Sequence, residues 1–285
     1  MTLVVGRGLA ITTGVFKLKT ACPHVLDLCM APGGFSTTAK RELPESIIDA
    51  ITLPLETGGY EVMADNICRH IKYADITMYS KEMIPDGHIP ASHPDSEKFE
   101  TSRPYVENKY DIVICGGAVA KAHPIERYRS DCEGSRLTVS QLVFAMNRLK
   151  TGGSIVLLLH HVESWNTVCI LYAFNKFSDI QLYKHPKCHA IKSSFYLVAK
   201  NIDLHHENAI ISLSYWKDLW RYLTFKEFED LPSPPPSFCR SEDDFIRGVL
   251  SEFGTRLLEL ARPVWKKQAK ALSRSSFIRP TPGRP

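Results

Sequence analysis

Short apolar runs alternate with amphipathic stretches over most of the first 200 residues of this chain. A short apolar run that stops at glycine, proline or a charged residue is typical of a buried strand, whereas apolar positions three and four residues apart are typical of a helix. The predicted strands are Val25–Cys29, Ile47–Leu53, Ile71–Met78, Tyr110–Cys115, Ser154–His160, Ile180–Lys184 and Phe195–Lys200. The predicted helices are Gly34–Arg41, Ser135–Leu149, Ser164–Phe177, Ser214–Leu223 and Asp243–Leu260.

The alternation of strands and helices predicts an α/β fold, with a mostly parallel sheet and helices on both of its faces. The glycines of Thr151-Gly152-Gly153 are expected to end the helix that precedes them. The connection between the last two strands is too short for a crossover helix, so these strands are expected to pair antiparallel. We expect an N-terminal segment at 1–19, the sheet domain at 20–203, and a helical, proline-interrupted C-terminal extension at 204–285.

Three stretches fall outside this alternation. Residues 80–108 are polar and proline-rich, and a loop of this length is expected to be functional or disordered. Leu231–Ser237 is rich in proline and favours an extended spacer. Arg262–Pro285 holds seven basic residues and no acid. Such a tail can bind the phosphates of RNA, and a solvated helix face that frays at its end is the alternative.

Composition narrows the class of protein. The apolar content of 44% is ordinary for a globular chain, and a net charge of +4 argues against a general polyanion binder. Apolar runs such as Ile155–Leu159 are too short to span a bilayer, and Met1–Leu18 has no clear signal-peptide cleavage site. We therefore expect an intracellular protein without a membrane partner. The eight cysteines show no Cys-x-x-Cys pair and no metal-like spacing with histidine, which favours reduced thiols and no metal site.

The strongest chemical signal lies where the first predicted strand ends. Val25–Cys29 is followed by the small-residue turn Met30-Ala31-Pro32-Gly33-Gly34 and then by a helical pattern. Glycines let a backbone approach a ligand closely, and a helix that starts there points its unpaired N–H groups at the same place. This combination predicts a binding site for a cofactor with a polar, adenosine-like body. Because Ala-Pro-Gly-Gly does not fit the Gly-x-Gly-x-x-Gly pattern of NAD-dependent enzymes, that class is set aside.

Five segments, taken in order, resemble the FtsJ-like ribose 2′-O-methyltransferases, and the likeness is closest to the divergent fungal branch of that family. They lie within residues 24–201 and carry the glycine turn, the strand ends and the closing hairpin. The resemblance implies a Rossmann-like methyltransferase sheet, S-adenosylmethionine as the cofactor and RNA ribose as the methyl acceptor. The segments are Leu26–Phe35, Ile51–Pro54 with Gly58-Gly59, Tyr110–Gly117, Gly152–His161 and Ser193–Lys200.

The resemblance also implies which residues bind the cofactor. The methionine part of S-adenosylmethionine would lie over the turn, and Asp27 would orient that turn. Thr52 and Leu53 occupy the place where the family usually has an acid for the ribose hydroxyls, and Glu56 is the nearest acid downstream. Asp75 would hold the adenine amino group, with an acid that caps a turn as the alternative. The turn residues concerned are Ala31, Pro32, Gly33, Gly34 and Phe35.

The family's Lys-Asp-Lys-Glu catalytic set is not intact in this chain. Gly116, His161 and Ser194 stand where the aspartate, the second lysine and the glutamate are expected. Lys17 and Lys19 precede the turn at a shorter spacing than the family's first lysine, and two surface lysines are the alternative. His161 is the candidate base that takes the proton of the acceptor, and a histidine that only hydrogen-bonds a loop is the alternative.

Two functions remain open from the sequence. The first is an active S-adenosylmethionine-dependent methyltransferase that acts on RNA or on a smaller nucleophile, and the second is a catalytically inactive relative, a pseudoenzyme that serves as a binding or scaffold module. His160 is expected to point to the face of the sheet opposite to His161. Glu163 and Trp165 follow at the same strand end, where they either line a substrate pocket or simply start the next helix.

Overall fold

A seven-stranded sheet forms the centre of the computed structural model, which describes residues 1–86, 88–228 and 242–275. The strands are β1 (His24–Leu28), β2 (Ile47–Thr52), β3 (His70–Tyr73), β4 (Tyr110–Cys115), β5 (Leu149–Leu159), β6 (Asp179–Tyr183) and β7 (Phe195–Lys200). The α-helices are α1 (Thr2–Thr13), α2 (Gly34–Glu42), α3 (Ser80–Met83), α4 (Glu133–Arg148), α5 (Trp165–Phe177), α6 (Glu207–Phe225) and α7 (Glu242–Leu272).

The strands lie in the order β3-β2-β1-β4-β5-β7-β6, and the first five strands of this order run parallel. β7 pairs antiparallel with both β5 and β6, which confirms the expected hairpin and the predicted fold class. The direction in which successive strands are added reverses between β1 and β4. In open parallel sheets, ligands bind in the crevice at the carboxyl ends of the strands on either side of such a reversal.

Apolar side chains are buried on both faces of the sheet. On one face, α4, α5, α6 and part of α7 cover a core that includes Leu26, Val113 and Leu157. On the other face, α1 and α2 cover a smaller core that includes Val25 and Ile112. A parallel strand that is covered on both faces has to be apolar along its whole length, which explains the continuous apolar runs in the sequence.

The junction between α4 and β5 differs from the sequence prediction. β5 begins at Leu149, directly after α4, and Leu149 pairs with Tyr110. The glycines of Thr151-Gly152-Gly153 therefore do not end the helix, and they lie inside the irregular start of the strand. Gly152 adopts a φ of 81° and donates its N–H to the carbonyl of Ile202 at 2.7 Å. A positive φ favours glycine, so the backbone conformation explains why residue 152 is a glycine. In the sequence, the same glycine suggested the end of a helix.

Residues 80–108 form a packed segment where a long loop was expected. Glu82 is buried and accepts hydrogen bonds from Arg148 at 2.6 Å and from Arg103 at 3.0 Å. His93 is also buried, and its ring meets Phe225 of α6 edge to face with centroids 5.4 Å apart. The polar residues of this segment therefore pair with other buried charged groups. In the sequence, the same polar residues suggested a solvated loop.

The elements outside the central strands differ in length from the predictions. The predicted strand Ile71–Met78 is only β3 followed by a short 3-10 helix over Ile76–Met78. α6 is longer than predicted at both ends, and α7 continues past Leu260 and through Pro263. Proline removes one helical hydrogen bond, but the buried side chains of Ala261 and Val264 hold both halves of α7 on the core.

Two of the predicted C-terminal stretches lie partly or wholly outside the described residues. The expectations about membrane helices and cysteines can be compared with the structure. The proline-rich spacer over 231–237 lies outside the described residues, as do residues 276–285 of the basic tail. Across the described residues, no helix has the length and apolar character needed to cross a bilayer. The seven cysteines in the described part of the chain are all unpaired.

Candidate functional site

The turn after β1 uses backbone conformations that its sequence permits. Cys29 and Gly33 adopt positive φ angles of 61° and 102°. The N–H of Gly33 donates to the carbonyl of Met30 at 2.7 Å and closes the turn. The N–H of Ala31 donates to the hydroxyl of Thr52 at 3.2 Å, which ties the turn to the end of β2. α2 begins directly after Gly33, so its unpaired N–H groups lie at the carboxyl edge of the sheet.

Packing against the protein explains why two glycines follow each other in this turn. A Cβ on Gly33 would lie 2.4 Å from the Cβ of Ala64, and a Cβ on Gly34 would lie 2.2 Å from Oγ1 of Thr2 in α1. Neither distance is possible without a shift of the backbone. Contacts with Ala64 and α1 therefore require glycine at both positions, and the approach of a ligand to these glycines stays a prediction.

A cavity of about 520 Å³ opens at the crevice between β1 and β4. Its volume lies within the ordinary range for small-molecule sites. Six of the eight predicted cofactor residues line this cavity, hereafter the cofactor cavity, and Gly33 and Gly34 are not among its lining residues. The six lining residues are Asp27, Ala31, Pro32, Phe35, Leu53 and Asp75. The structure thus brings these residues together, and their contact with a cofactor stays a prediction.

Asp27 lies beneath the turn and is almost completely buried. The hydroxyl of Ser36 in α2 donates to Oδ2 of Asp27 at 2.6 Å. Burial raises the pKa of Asp27 to about 7, although the hydrogen bonds from Ser36 act in the opposite direction. A positively charged group in the cofactor cavity would favour the ionised form of this carboxyl, so the site suits a cationic ligand.

Asp75 caps the 3-10 helix after β3 and lines the cofactor cavity as well. Its Oδ1 accepts hydrogen bonds from the N–H and the hydroxyl of Thr77, each at 2.9 Å. Its Oδ2 lies 3.4 Å from Nε2 of His123 and 3.5 Å from Nη1 of Arg129. Burial alone would raise the pKa of Asp75, but these partners hold it well below the usual range. The structure shows the capping role, and the adenine contact stays a prediction.

Glu133 and His123 extend this cluster. Ligand atoms of Asp75, His123 and Glu133 lie within 4.8 Å of one another, which is a spacing that suits a metal ion. Arg129, however, donates to Glu133 at 3.1 Å and approaches Asp75, so its guanidinium already neutralises both carboxylates. Nδ1 of His123 lies 2.8 Å from the carbonyl oxygen of Thr57, and the Asp75 carboxylate raises the pKa of His123. We therefore interpret the cluster as a charge network that stiffens one wall of the cavity.

The structure places two of the altered catalytic positions at the cofactor cavity. Gly116 follows β4 and Ser194 precedes β7, and both residues line the cavity. A Cβ on Gly116 would have no heavy atom within 3.8 Å, since its nearest neighbour is the Leu28 carbonyl oxygen at 3.9 Å. Lys17 and Lys19 follow α1 and are exposed, and neither belongs to the described lining of the cavity.

His161, the predicted base, does not line the cofactor cavity. Its side chain is exposed, and its Nδ1 lies 3.3 Å from Oε1 of Glu163. The neighbouring His160 lines the cavity instead. β5 ends at Leu159 and His161 has a φ of 49°, so the alternation of side chains along a strand does not extend to these histidines. His160, and not His161, is therefore the histidine that lines the cofactor cavity.

The surroundings of His160 favour its neutral form. The cavity wall partly desolvates the ring and lowers its pKa, and the charges of His161, Lys184 and Lys192 lower it further. Lys184 is buried, and its Nζ donates to the carbonyls of Lys192 at 2.6 Å and Ser194 at 2.8 Å. Burial, followed by the charge of Lys267, lowers the pKa of Lys184 to about 8. The lowered pKa keeps the imidazole of His160 neutral at neutral pH, and the neutral imidazole is the form that can act as a base.

Sequence reasoning missed His160, His123 and Lys184 as residues of the site. A signal for Lys184 was present, because the connection from residue 184 to residue 194 contains several basic residues and no acid. His123 gave no local signal, since only the fold brings it next to the segment after β3.

Comparisons with known proteins agree with the geometry. The model of the FtsJ-like methyltransferase family matches residues 10–202. A curated relative, the Ribosomal RNA small subunit methyltransferase B of Salmonella arizonae, is 28% identical over 137 residues, which are 47% of this chain and 29% of that protein. The matched part of the chain thus spans less than a third of this relative's length.

Two solved structures are also similar to the chain. A Plasmodium falciparum protein described as a putative ribosomal RNA methyltransferase has 17% identity and a TM-score of 0.41, over 70% of this chain and 96% of that one. Human Methyltransferase-like protein 13 in complex with SAH has 13% identity and a TM-score of 0.40, over 85% and 94%. Since the family model covers more than half of its length, this chain belongs to the FtsJ-like methyltransferase family, whose cofactor is S-adenosylmethionine.

Proposed function

We propose that the protein transfers a methyl group from S-adenosylmethionine to a ribose 2′-hydroxyl of RNA. The observation that carries this proposal is the position of His160 in the wall of the cofactor cavity. The curated relative is named as a ribosomal RNA methyltransferase, which supports RNA as the acceptor class. Bound S-adenosylmethionine supplies an electrophilic methyl group, so the protein has to bind it, align the acceptor and accept a proton.

The cofactor cavity has the chemistry that this cofactor needs. S-adenosylmethionine carries a positive sulfonium, and the buried carboxyl of Asp27 gains from a positive neighbour. Asp75 and His123 provide a polar wall that suits an adenine ring, and Leu53 and Tyr60 lie at the end of β2 where a ribose would bind. A volume of about 520 Å³ accommodates a ligand of this size.

The acceptor side of the cavity provides the proton transfer. A ribose hydroxyl is a weak nucleophile until its proton is removed, and nearby cations lower the pKa of such a hydroxyl. Lys192 and the buried Lys184 supply positive charge beside His160. When the hydroxyl oxygen forms the new C–O bond, the bond from the methyl group to the sulfonium sulfur would break and leave a neutral thioether, and the hydroxyl proton would pass to the neutral imidazole of His160.

A basic stripe on α7 supports RNA as the acceptor. Arg262, Lys266 and Lys270 are exposed and are spaced four residues apart, so they lie along one face of α7, and the exposed Arg274 follows the end of that helix. Lysine and arginine side chains arranged in this way bind phosphates in a salt-dependent manner. A merely solvated helix face, the alternative interpretation, predicts no such dependence.

A catalytically inactive relative is the second candidate, and one observation favours it. Gly116 and Ser194 contribute no carboxylate at the two positions where the family's catalytic set has an acid. In this case the protein would bind S-adenosylmethionine and transfer nothing.

One experiment separates the two functions. Calorimetric titration with S-adenosylmethionine measures binding, and transfer of a tritiated methyl group to total RNA, followed by nucleoside analysis for 2′-O-methylribose, measures the reaction. We expect binding and transfer in the wild type, with transfer lost in His160→Ala and kept in the control His205→Ala, at an exposed histidine that does not line the cofactor cavity. Binding without transfer in the wild type refutes the proposal in favour of the inactive relative.

A further inference from the structure

A second cavity, of about 1150 Å³, lies between α4, α5, α6 and α7. It shares Gly117, Leu158 and His160 with the cofactor cavity, so the two cavities are adjacent at the histidine that faces the acceptor. Two of its four helices, α6 and α7, lie beyond residue 202, where the match to the family model ends. The C-terminal extension therefore completes a space that the family segment alone does not enclose.

The walls of this second cavity combine aromatic rings with polar groups. Trp165 at the start of α5 meets Phe245 of α7 edge to face, with ring centroids 5.8 Å apart. Asn166, Asn208 and Ser212 add amide and hydroxyl groups to the same lining. Aromatic rings stack on nucleobases, and amide and hydroxyl groups hydrogen-bond to base edges, so this combination suits a base better than a purely apolar ligand.

Polar contacts fix α7 to the elements that carry the site. The indole N–H of Trp265 donates to Glu163 at 3.2 Å, and Nζ of Lys267 donates to the carbonyl of Lys184 at 3.0 Å. Glu252 forms an ion pair with Lys176 of α5. The outer wall of the second cavity is thus held in register with the acceptor side of the cofactor cavity.

We propose that the second cavity holds an unstacked base of a single-stranded RNA acceptor, while the ribose to be methylated lies at His160. This inference rests on the proposed function. Sequence-specific recognition of RNA acts mainly on unpaired bases that stack on protein side chains. Lys184 and Lys192 line the cofactor cavity together with the shared His160, and their charges favour an occupant whose phosphates reach that cavity over an apolar side chain of a protein partner.

Two glycines of α7 offer a matched pair of variants. Gly248 lines the second cavity and Gly254 does not, and a Cβ added at either residue meets no heavy atom within 4 Å. Gly248→Leu therefore adds an apolar side chain to the wall of the cavity from a position where the Cβ has room, and Gly254→Leu makes the same change on the same helix outside the cavity. Replacement of glycine also raises helix propensity, so neither variant is expected to unfold. Trp165→Ala removes the stacking ring as an independent test.

The probes are fluorescein-labelled single-stranded RNA decamers of A, C, G or U, with binding measured by fluorescence anisotropy. We expect Gly248→Leu to weaken the best decamer at least tenfold and Gly254→Leu to leave it unchanged. Trp165→Ala is expected to weaken it by about 5- to 150-fold, which corresponds to one base stacked on an aromatic ring. Nucleoside monophosphates are expected to compete, and ribose 5-phosphate is not.

The readouts distinguish this inference from the proposed function. Titration with S-adenosylmethionine is expected to be unchanged in all three variants, which shows that the cofactor cavity is intact. Equal RNA affinity of Gly248→Leu and Gly254→Leu, or competition by ribose 5-phosphate alone, overturns the base cavity even if the wild type methylates RNA. Loss of RNA binding in Gly248→Leu supports the base cavity even if the wild type transfers no methyl group.

Discussion

The packing of Gly33 leads to a quantitative prediction about the turn after β1. The substitution Gly33→Ala adds a single methyl group at a residue with a φ of 102°. An L-residue in a left-handed conformation costs about 1–2 kcal/mol. The new Cβ would also lie 2.4 Å from the Cβ of Ala64, and an overpacked contact of this kind costs roughly 1–3 kcal/mol. We therefore expect a loss of about 2–5 kcal/mol in the free energy of unfolding.

Gly33→Ala should also weaken cofactor binding, because the turn cannot relieve the clash without moving the residues that line the cofactor cavity. We expect the Kd for S-adenosylmethionine to rise by at least about tenfold, which corresponds to roughly 1.4 kcal/mol. Gly33→Asp carries the same Cβ and a larger side chain, so it is expected to abolish measurable binding. Urea denaturation and calorimetric titration give the two quantities.

Variants at two other glycines separate the backbone cost from the packing cost in this estimate. Gly152 has a φ of 81° and no heavy atom within 4 Å of an added Cβ, so Gly152→Ala isolates the backbone cost of about 1–2 kcal/mol. Gly134 lies in α4 with the same open space, and Gly134→Ala should stabilise the protein by about 0.5–1 kcal/mol. If Gly33→Ala loses no more stability than Gly152→Ala and binds the cofactor normally, the packing argument is refuted.

Three other predictions concern charged groups. Because burial raises the pKa of Asp27 to about 7, its contribution to stability is complete below pH 4 and is lost as pH rises to about 7. Asp27→Asn should remove this pH dependence of the free energy of unfolding, which amounts to about 4 kcal/mol at pH 8. Parallel urea-denaturation profiles of the wild type and the variant from pH 4 to pH 8 would contradict this prediction. Arg148→Met leaves the buried Glu82 without its main partner and should cost about 3–5 kcal/mol. The half-exposed pair of Lys150 and Asp111 is the control, and Lys150→Met should cost less than about 1 kcal/mol in the same denaturation assay. His160→Ala should lower the methyl-transfer rate by about 10²–10⁴-fold and remove a rate limb with a midpoint below the ordinary histidine pKa, whereas an unchanged pH–rate profile would exclude His160 as the base.

Two-sided burial made the central strands predictable from the sequence. β4 and β7 have the predicted bounds, because a strand covered on both faces leaves an uninterrupted apolar run. The ends of α4 and β5 were not predictable in this way. Gly152 looks the same in sequence whether it ends a helix or allows a positive φ in a strand, and only the pairing of Leu149 with Tyr110 decides between the two.

The turn after β1 could be located from the sequence, whereas the part of the cofactor cavity around His160 could not. Asp27 and the turn are close in the chain, so the local pattern places them together. The choice between His160 and His161 depends on the backbone after the last residue of β5, where strand periodicity no longer applies. Residues such as His123 and Phe245 join their cavities only through tertiary packing, which no local pattern reports.

α6 packs on α4 and buries Trp216, Trp220 and Phe225, so a chain that stopped at residue 202 would leave the matching face of α4 bare. Such a fragment would retain every motif that identifies the family and would still be prone to aggregate in water. The part that holds the methyl donor and the part that encloses the space beside it are encoded in separate stretches of the chain. With the proposed base cavity, drift in the second stretch would change the choice of acceptor during evolution while the use of the donor is inherited unchanged.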